Sequence, residues 1–217
     1  MTEEPAEPAA RTAPGGLSEA EIVEAALRVV RTDGVAKLSM RRLSRDLGVS
    51  PMAPYYYVAD KRELLDLVAS AALGAIHYPA PDSGPWQTRL RSVIDQVDAQ
   101  LRTHPGLGDV LIEQMLRPQL GLIAAVMDIL VDAGFTDRNV LAAYATIHTF
   151  LFGRGHLDPA RTTPPPDVPL PAVVERAAKH LPDLPGKHVY AFGVETLIAG
   201  LEAQLAQQPS EEEQTTR

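Results

Sequence analysis

Apolar positions recur at three- and four-residue intervals along most of this chain, the period of amphipathic helices, and no segment alternates as a strand would. An all-α fold is therefore expected. Ser18 and Glu21 stand at capping-box spacing, with Leu17 and Ile22 at hydrophobic-staple positions, so a first helix should begin there. Ile22, Ala25, Ala26, Val29 and Val30 form its inner face, and Asp33-Gly34 should end it. Ser39 suits the cap of a second helix with Met40, Leu43 and Leu47 turned inward. Gly48 makes a tight turn, and Ser50-Pro51 fits the N-cap and first turn of a third helix. Asp60 and Glu63 then open a long fourth helix that carries Leu64, Leu65, Val68 and Leu73 and ends at His77.

A Pro/Gly-rich break, Pro79–Pro85, separates this head from the remainder of the chain. Beyond it the periodicity predicts helices near 86–103, 107–115, 118–134, 137–156, 170–181 and 187–206, with a proline-rich loop over 157–171. The two ends are rich in Pro, Glu, Gln and Ala and have little to bury. The expected organisation is a disordered arm (1–16), a three-helix head with its connecting helix (17–77), a helical-bundle domain (85–207) and a disordered tail (208–217).

Composition adds mainly exclusions. There are no cysteines, which removes disulfides, thiolate metal sites and cysteine nucleophiles. No apolar run reaches the roughly 20 residues needed to cross a bilayer, and the N-terminus lacks the basic and apolar regions of a signal peptide. A cytoplasmic protein without a membrane partner is expected. No phosphate-cradling loop, HExxH pair or nucleophile elbow occurs, so no enzyme, cofactor or metal site is expected.

Charge is more informative. Six Lys or Arg and two Asp lie between Lys37 and Arg62, a local charge of about +4 in a chain of formal net charge −8. An acidic protein that concentrates positive charge on one small element presents it to a polyanion. Two short helices about a glycine turn make a helix-turn-helix, whose second helix enters the major groove of double-stranded DNA. Arg41 could then reach a guanine edge or a phosphate, Ser39 and Ser50 could offer hydroxyls, and Lys61 opens the fourth helix where a phosphate would sit. Tyr55, Tyr56 and Tyr57 cannot all point inward on a helix, so at least one faces the groove; a core role for the others stays open.

The stretch Leu38–Leu65, LSMRRLSRDLGVSPMAPYYYVADKRELL, resembles the DNA-binding head of the TetR family of bacterial repressors. That family carries the pattern LTxxx(I/L)AxxxGVSxxx(L/I)Yx(H/Y)(F/V)xxKxxL. The resemblance runs from about Leu17 to Leu65. It implies phosphate contacts at Tyr55 and Lys61, and base or backbone contacts at Arg41, Ser50, Pro51, Met52, Ala53 and Tyr56. Pro54 departs from the pattern by standing where Leu or Ile is usual. It removes an intrahelical bond and disfavours helical geometry at Ala53, so the recognition helix should start late or be distorted.

Weaker resemblance to the C-terminal domain of tetracycline-repressor-type members continues through Trp86–Arg91 (WQTRLR), Leu101–Pro105 (LRTHP), Ala133–Thr136 (AGFT) and Phe192–Glu202 (FGVETLIAGLE). It implies a homodimer built on helices near 137–156 and 187–206, and a cavity for a small apolar inducer. By the same analogy the ligand would meet His77, Leu111, Gln114, Met115, Met127, His148 and Phe152. Ile147, Phe150 and Leu151, with Gly193, Ala199 and Gly200, suit the helix pairing and equally an ordinary core. His77 and His148 fit polar groups in an apolar pocket or, more commonly, satisfied structural histidines. Tetracycline repressors hold a drug–magnesium chelate through a further histidine just after the LRTHP segment. Gly106–Leu116 contains none, which argues against that inducer. The function implied is a ligand-released transcriptional repressor; the alternative is a helical small-molecule-binding dimer that has lost DNA binding.

Overall fold

The computed structural model describes residues 17–112, 119–153 and 170–208, and among these residues the regular structure is entirely helical. The expected ligand residues Gln114 and Met115, the arm 1–16 and positions 209–217 lie outside the described residues.

Helix α1 (Glu19–Asp33) begins as its sequence dictates. The Glu21 N–H donates to Ser18 Oγ at 3.2 Å, and the Ser18 N–H donates to Glu21 Oε2 at 2.8 Å, closing the capping box. Its buried residues are Ile22, Ala25, Ala26, Val29 and Val30, the face set by the periodicity. After a 3-10 turn at Val35–Lys37 comes α2 (Met40–Leu47), where Ser39 Oγ accepts the Arg42 N–H at 3.2 Å. Gly48, at φ 67, ends it in the left-handed region.

The expected third α-helix is absent. A turn at Pro51–Met52 leads into a 3-10 helix over Ala53–Tyr56, with Pro54 buried. The Ala53 N–H donates to the Ser50 carbonyl at 3.0 Å, that of Tyr55 to Met52 at 3.1 Å and that of Tyr57 to Pro54 at 3.0 Å. Each of these bonds spans three residues. Pro54 has no N–H to offer Ser50, and its ring disfavours helical geometry at Ala53, so the tighter helix forms instead. Ser50 serves through its carbonyl rather than as a side-chain cap.

Helix α3 (Lys61–Leu73) follows. The Asp60 carboxylate accepts the N–H groups of Arg62 at 2.8 Å and Glu63 at 2.9 Å, while Glu63 reaches back to the Ala59 N–H, one residue earlier than a capping box requires. The helix stops at Leu73, so His77 lies beyond its end. There the His77 N–H donates to Gln96 Oε1 at 2.8 Å and Gln96 Nε2 donates to the His77 carbonyl at 2.9 Å. A glutamine side chain thus satisfies backbone groups that a longer helix would have satisfied internally.

The described residues divide into two compact units. Residues through Ile76 and those from Val97 to Gln119 form one; His77–Gln96 and residues from Leu120 onward form the other. Helix α4 (Trp86–Thr103) is continuous and contributes to both. In the first unit α1 packs on α2 and α3 around Ile22, Ala26, Val30, Leu38, Leu43, Val58, Leu64 and Val68. Burying each large aliphatic side chain contributes about 1.5–3 kcal/mol. The short α5 (Leu107–Leu111) packs on α3.

In the second unit α6 (Leu120–Asp132) and α7 (Asp137–Gly153) pack together across a short turn, followed by α8 (Ala172–Ala178) and, after a 3-10 turn, α9 (Gly186–Ala206). Trp86 meets Phe135 edge-on at 5.9 Å, and Arg89, nearly buried, pairs with Asp132 at 3.0 Å. The Tyr190 hydroxyl donates to Asp95, tying α9 to α4. Gly193 permits the contact of α9 with α7, since a Cβ there would lie 2.4 Å from the Phe150 ring. Gln208 is held by the Thr136 N–H at 3.0 Å and by Asn139 Nδ2 at 2.9 Å, so the residues just after α9 are tied to the start of α7.

Candidate nucleic-acid interface

The side chains expected to meet DNA lie at the surface of the head, apolar ones among them. Ser39 and Arg41 at the start of α2, Ser50, Pro51, Met52, Tyr55 and Tyr56 in the recognition segment, and Lys61 at the start of α3 are all exposed; Ala53 is half-buried. Met52 is 63% exposed, Tyr55 44% and Tyr56 70%, whereas Tyr57 is 5% exposed and its hydroxyl donates to the Leu17 carbonyl. Two of the three consecutive tyrosines therefore face outward, and the third fastens the recognition segment to the chain just before α1.

The cations are also divided. Arg42 bridges Asp33 at the end of α1 (2.6 Å) and Asp46 one turn along α2 (3.3 Å). Lys37, Arg41, Arg45, Lys61 and Arg62 have no side-chain ion pair or hydrogen bond among the described residues. Arg42 positions α2 against α1; Lys37 adds its charge to the lowering of Asp33, and Arg41, Arg45, Lys61 and Arg62 stay exposed. Sequence reasoning counted Arg42 with the rest, although its spacing from Asp46 signals one of its two pairings.

The hydrogen bond from Arg42 holds the Asp33 carboxyl below its ordinary value of 3.8, outweighing an opposing desolvation, and the same contact raises Arg42. A carboxyl lowered in the folded state stabilises above its unfolded pKa, and that contribution disappears as pH falls through the folded one. Asp33→Asn is therefore expected to be less stable than the parent at pH 7. The gap should narrow once the pH is taken below about 4. Urea midpoints at the two pH values measure it; a gap that stays constant removes this pair as the cause.

The expected ligand residues fall in both units. Leu111 is buried in the first, at the end of α5. In the second, Met127 is half-buried on α6, and His148 and Phe152 are buried on α7 with ring centroids 4.7 Å apart, edge to face. Tyr144, one turn before His148 at 5.9 Å, joins them, and burial pushes its hydroxyl up to about 12. Its spacing from His148 was a usable sequence signal. His77 is exposed, so its side chain does not stand in an apolar surrounding.

Comparison with known proteins agrees with this architecture. The family model described as the tetracyclin repressor-like C-terminal domain matches residues 78–205. The class D tetracycline repressor protein of Escherichia coli is 28% identical over 198 residues, covering 87% of this chain and 91% of that protein. The transcriptional repressor DrrR1 of Streptomyces coeruleorubidus is 33% identical over 138 residues, covering 61% of this chain and 50% of that protein. Among solved structures, ActR of Streptomyces coelicolor in complex with actinorhodin superposes with a TM-score of 0.73 at 24% identity, covering 90% of this chain and all of that one. At that identity the likeness is one of fold. The family match, spanning more than half of the chain, and the nearly full-length relatedness to a tetracycline repressor together establish that the chain belongs to the TetR family of helix-turn-helix transcriptional regulators.

Proposed function

We propose that this regulator is a cytoplasmic homodimeric repressor that binds a near-palindromic DNA operator and is released from it by a small, largely apolar ligand. The DNA-binding domain is 17–77 and the ligand-binding and dimerisation domain 85–207. The observation that carries the reading is the exposed set Arg41, Arg45, Lys61 and Arg62, without an ion pair among the described residues, flanking exposed Tyr55 and Tyr56 in a chain that is acidic overall. Ser39, Ser50, Pro51, Met52 and Ala53 complete the DNA surface. Leu111, Met127, His148 and Phe152, with Gln114 and Met115, supply the ligand contacts; His77, exposed, is the weakest member of that set. ActR, of the same fold, is found in complex with actinorhodin, which suits a ligand-binding role for the helical domain here. No enzymatic step is assigned. The ligand acts by binding the DNA-free conformation more tightly, and it shifts the equilibrium only by that difference.

The test is selection of random duplexes on the purified protein, followed by salt titration of the recovered sequence. Each phosphate neutralised steepens the dependence of log affinity on log salt by about 0.9. A palindromic site with steep salt dependence supports the reading, and a salt-insensitive complex or no enriched site overturns it. One observation favours the second reading, a ligand-binding dimer without DNA function: the recognition segment is a 3-10 helix and not an α-helix.

A further inference from the structure

We infer that the recognition segment discriminates bases through the C5-methyl groups of thymines, with Met52 and Tyr56 as the contacting side chains; the inference rests on the DNA-binding reading above. Between Ser50 and Ala59 the chain reads SPMAPYYYVA, without a charged or amide side chain. The major groove is read by a short chemical code. Arg or Lys takes guanine, Asn or Gln takes adenine, Asp or Glu takes cytosine, and apolar side chains take the thymine methyl. Of these four tools, the segment carries the last.

Its hydrogen-bonding side chains are hydroxyls. That of Tyr57 is committed to the Leu17 carbonyl, leaving those of Ser50, Tyr55 and Tyr56. A hydroxyl both donates and accepts, so it satisfies a phosphate or any base edge and distinguishes bases poorly. What the segment does expose is apolar surface, with Met52 at 63% and Tyr56 at 70%. Met52 stands at the N-cap of the 3-10 helix and Tyr56 is its last residue, with Pro54 buried within it. Exposed cations flank them on both sides, Arg41 and Arg45 before and Lys61 and Arg62 after. A purely apolar partner would leave those charges unpaired, whereas a duplex neutralises them with phosphates while offering methyl groups in the groove between. A thioether adapts its shape to such a contact. Guanine readout is then left to Arg41.

The experiment uses the full chain and the duplex enriched by selection, with each thymine replaced in turn by deoxyuridine, which keeps every hydrogen-bonding group and removes the methyl. At one or two positions per half-site affinity should fall about fourfold, the worth of burying one methyl group, and about fifteenfold when both symmetry-related positions are changed. Met52→Ala or Tyr56→Ala should weaken binding to the thymine duplex, and combining the variant with uracil at its contacted position should add no further loss. Uracil substitutions that all leave affinity within twofold overturn the inference while the DNA-binding reading stands. Additive losses in both variants overturn the assignment to Met52 and Tyr56. Failure to enrich any duplex overturns the DNA-binding reading and this inference with it.

Discussion

Replacing Arg41 and Lys61 together by alanine is expected to lower operator affinity by about a hundredfold or more. A guanidinium on a guanine edge is worth about 1–3 kcal/mol and a phosphate contact somewhat less, and in a symmetric dimer each loss occurs in both half-sites. The salt dependence should also flatten, by about one unit of slope for each phosphate contact removed. Folding should be unaffected, because both side chains are exposed and unpaired among the described residues, where substitutions change stability by about 0.5 kcal/mol or less. Ligand binding, which the proposal assigns to residues outside the helix-turn-helix, should survive. Measuring operator affinity at several salt concentrations, with thermal melting alongside, separates this outcome from a folding defect. A variant that binds the operator as the parent does would show that the exposed cations are simply solvated. A parent with no operator affinity at all would favour the ligand-binding dimer and point to Pro54 as the disabling residue.

Legibility in the sequence tracked the range of the interaction responsible. The beginnings of α1 and α2 were readable because a capping serine and its partners lie within three residues of one another. The recognition segment was readable only as far as Pro54 announced a distortion; hydrophobic spacing over so few residues does not separate an α-helix from a 3-10 helix. The extent of the helix before His77 was hidden, because Gln96, nineteen residues away, takes over the backbone groups that would have continued it. The tyrosine triplet showed the same limit. Sequence required at least one to face outward, and the contact between Tyr57 and Leu17, forty residues apart, makes it two. Local charge overstated the free cations by one, since the stronger partner of Arg42 is Asp33, nine residues earlier and on another helix.

Gly106→Val is expected to be among the most destabilising single changes in the first unit, costing about 2–5 kcal/mol from left-handed strain and overpacking combined. Gly106 has φ 83 and ψ −2, a conformation that a β-branched residue adopts only under strain. It also faces the turn between α1 and α2 at close range. A Cβ at Gly106 would lie 3.2 Å from Val35 Cβ and 3.5 Å from the Val35 nitrogen. In the same contact the Val35 N–H donates to the Pro105 carbonyl at 3.0 Å, so relieving the crowding by moving the segment would break that bond. The contact joins the end of α4 to the helix-turn-helix within one compact unit. Gly48→Ala supplies the comparison, because Gly48 has φ 67 but nothing within 4 Å of its would-be Cβ. That change should cost only the backbone term, about 1–2 kcal/mol, and Gly106→Ala, whose Cβ already meets Val35, separates the crowding by that atom from what the branches of valine add. Urea denaturation followed by helical circular dichroism measures all three. If Gly106→Ala costs no more than Gly48→Ala, the packing of Gly106 against Val35 contributes nothing; a larger loss shows that the end of α4 is locked to the DNA-binding head at this turn.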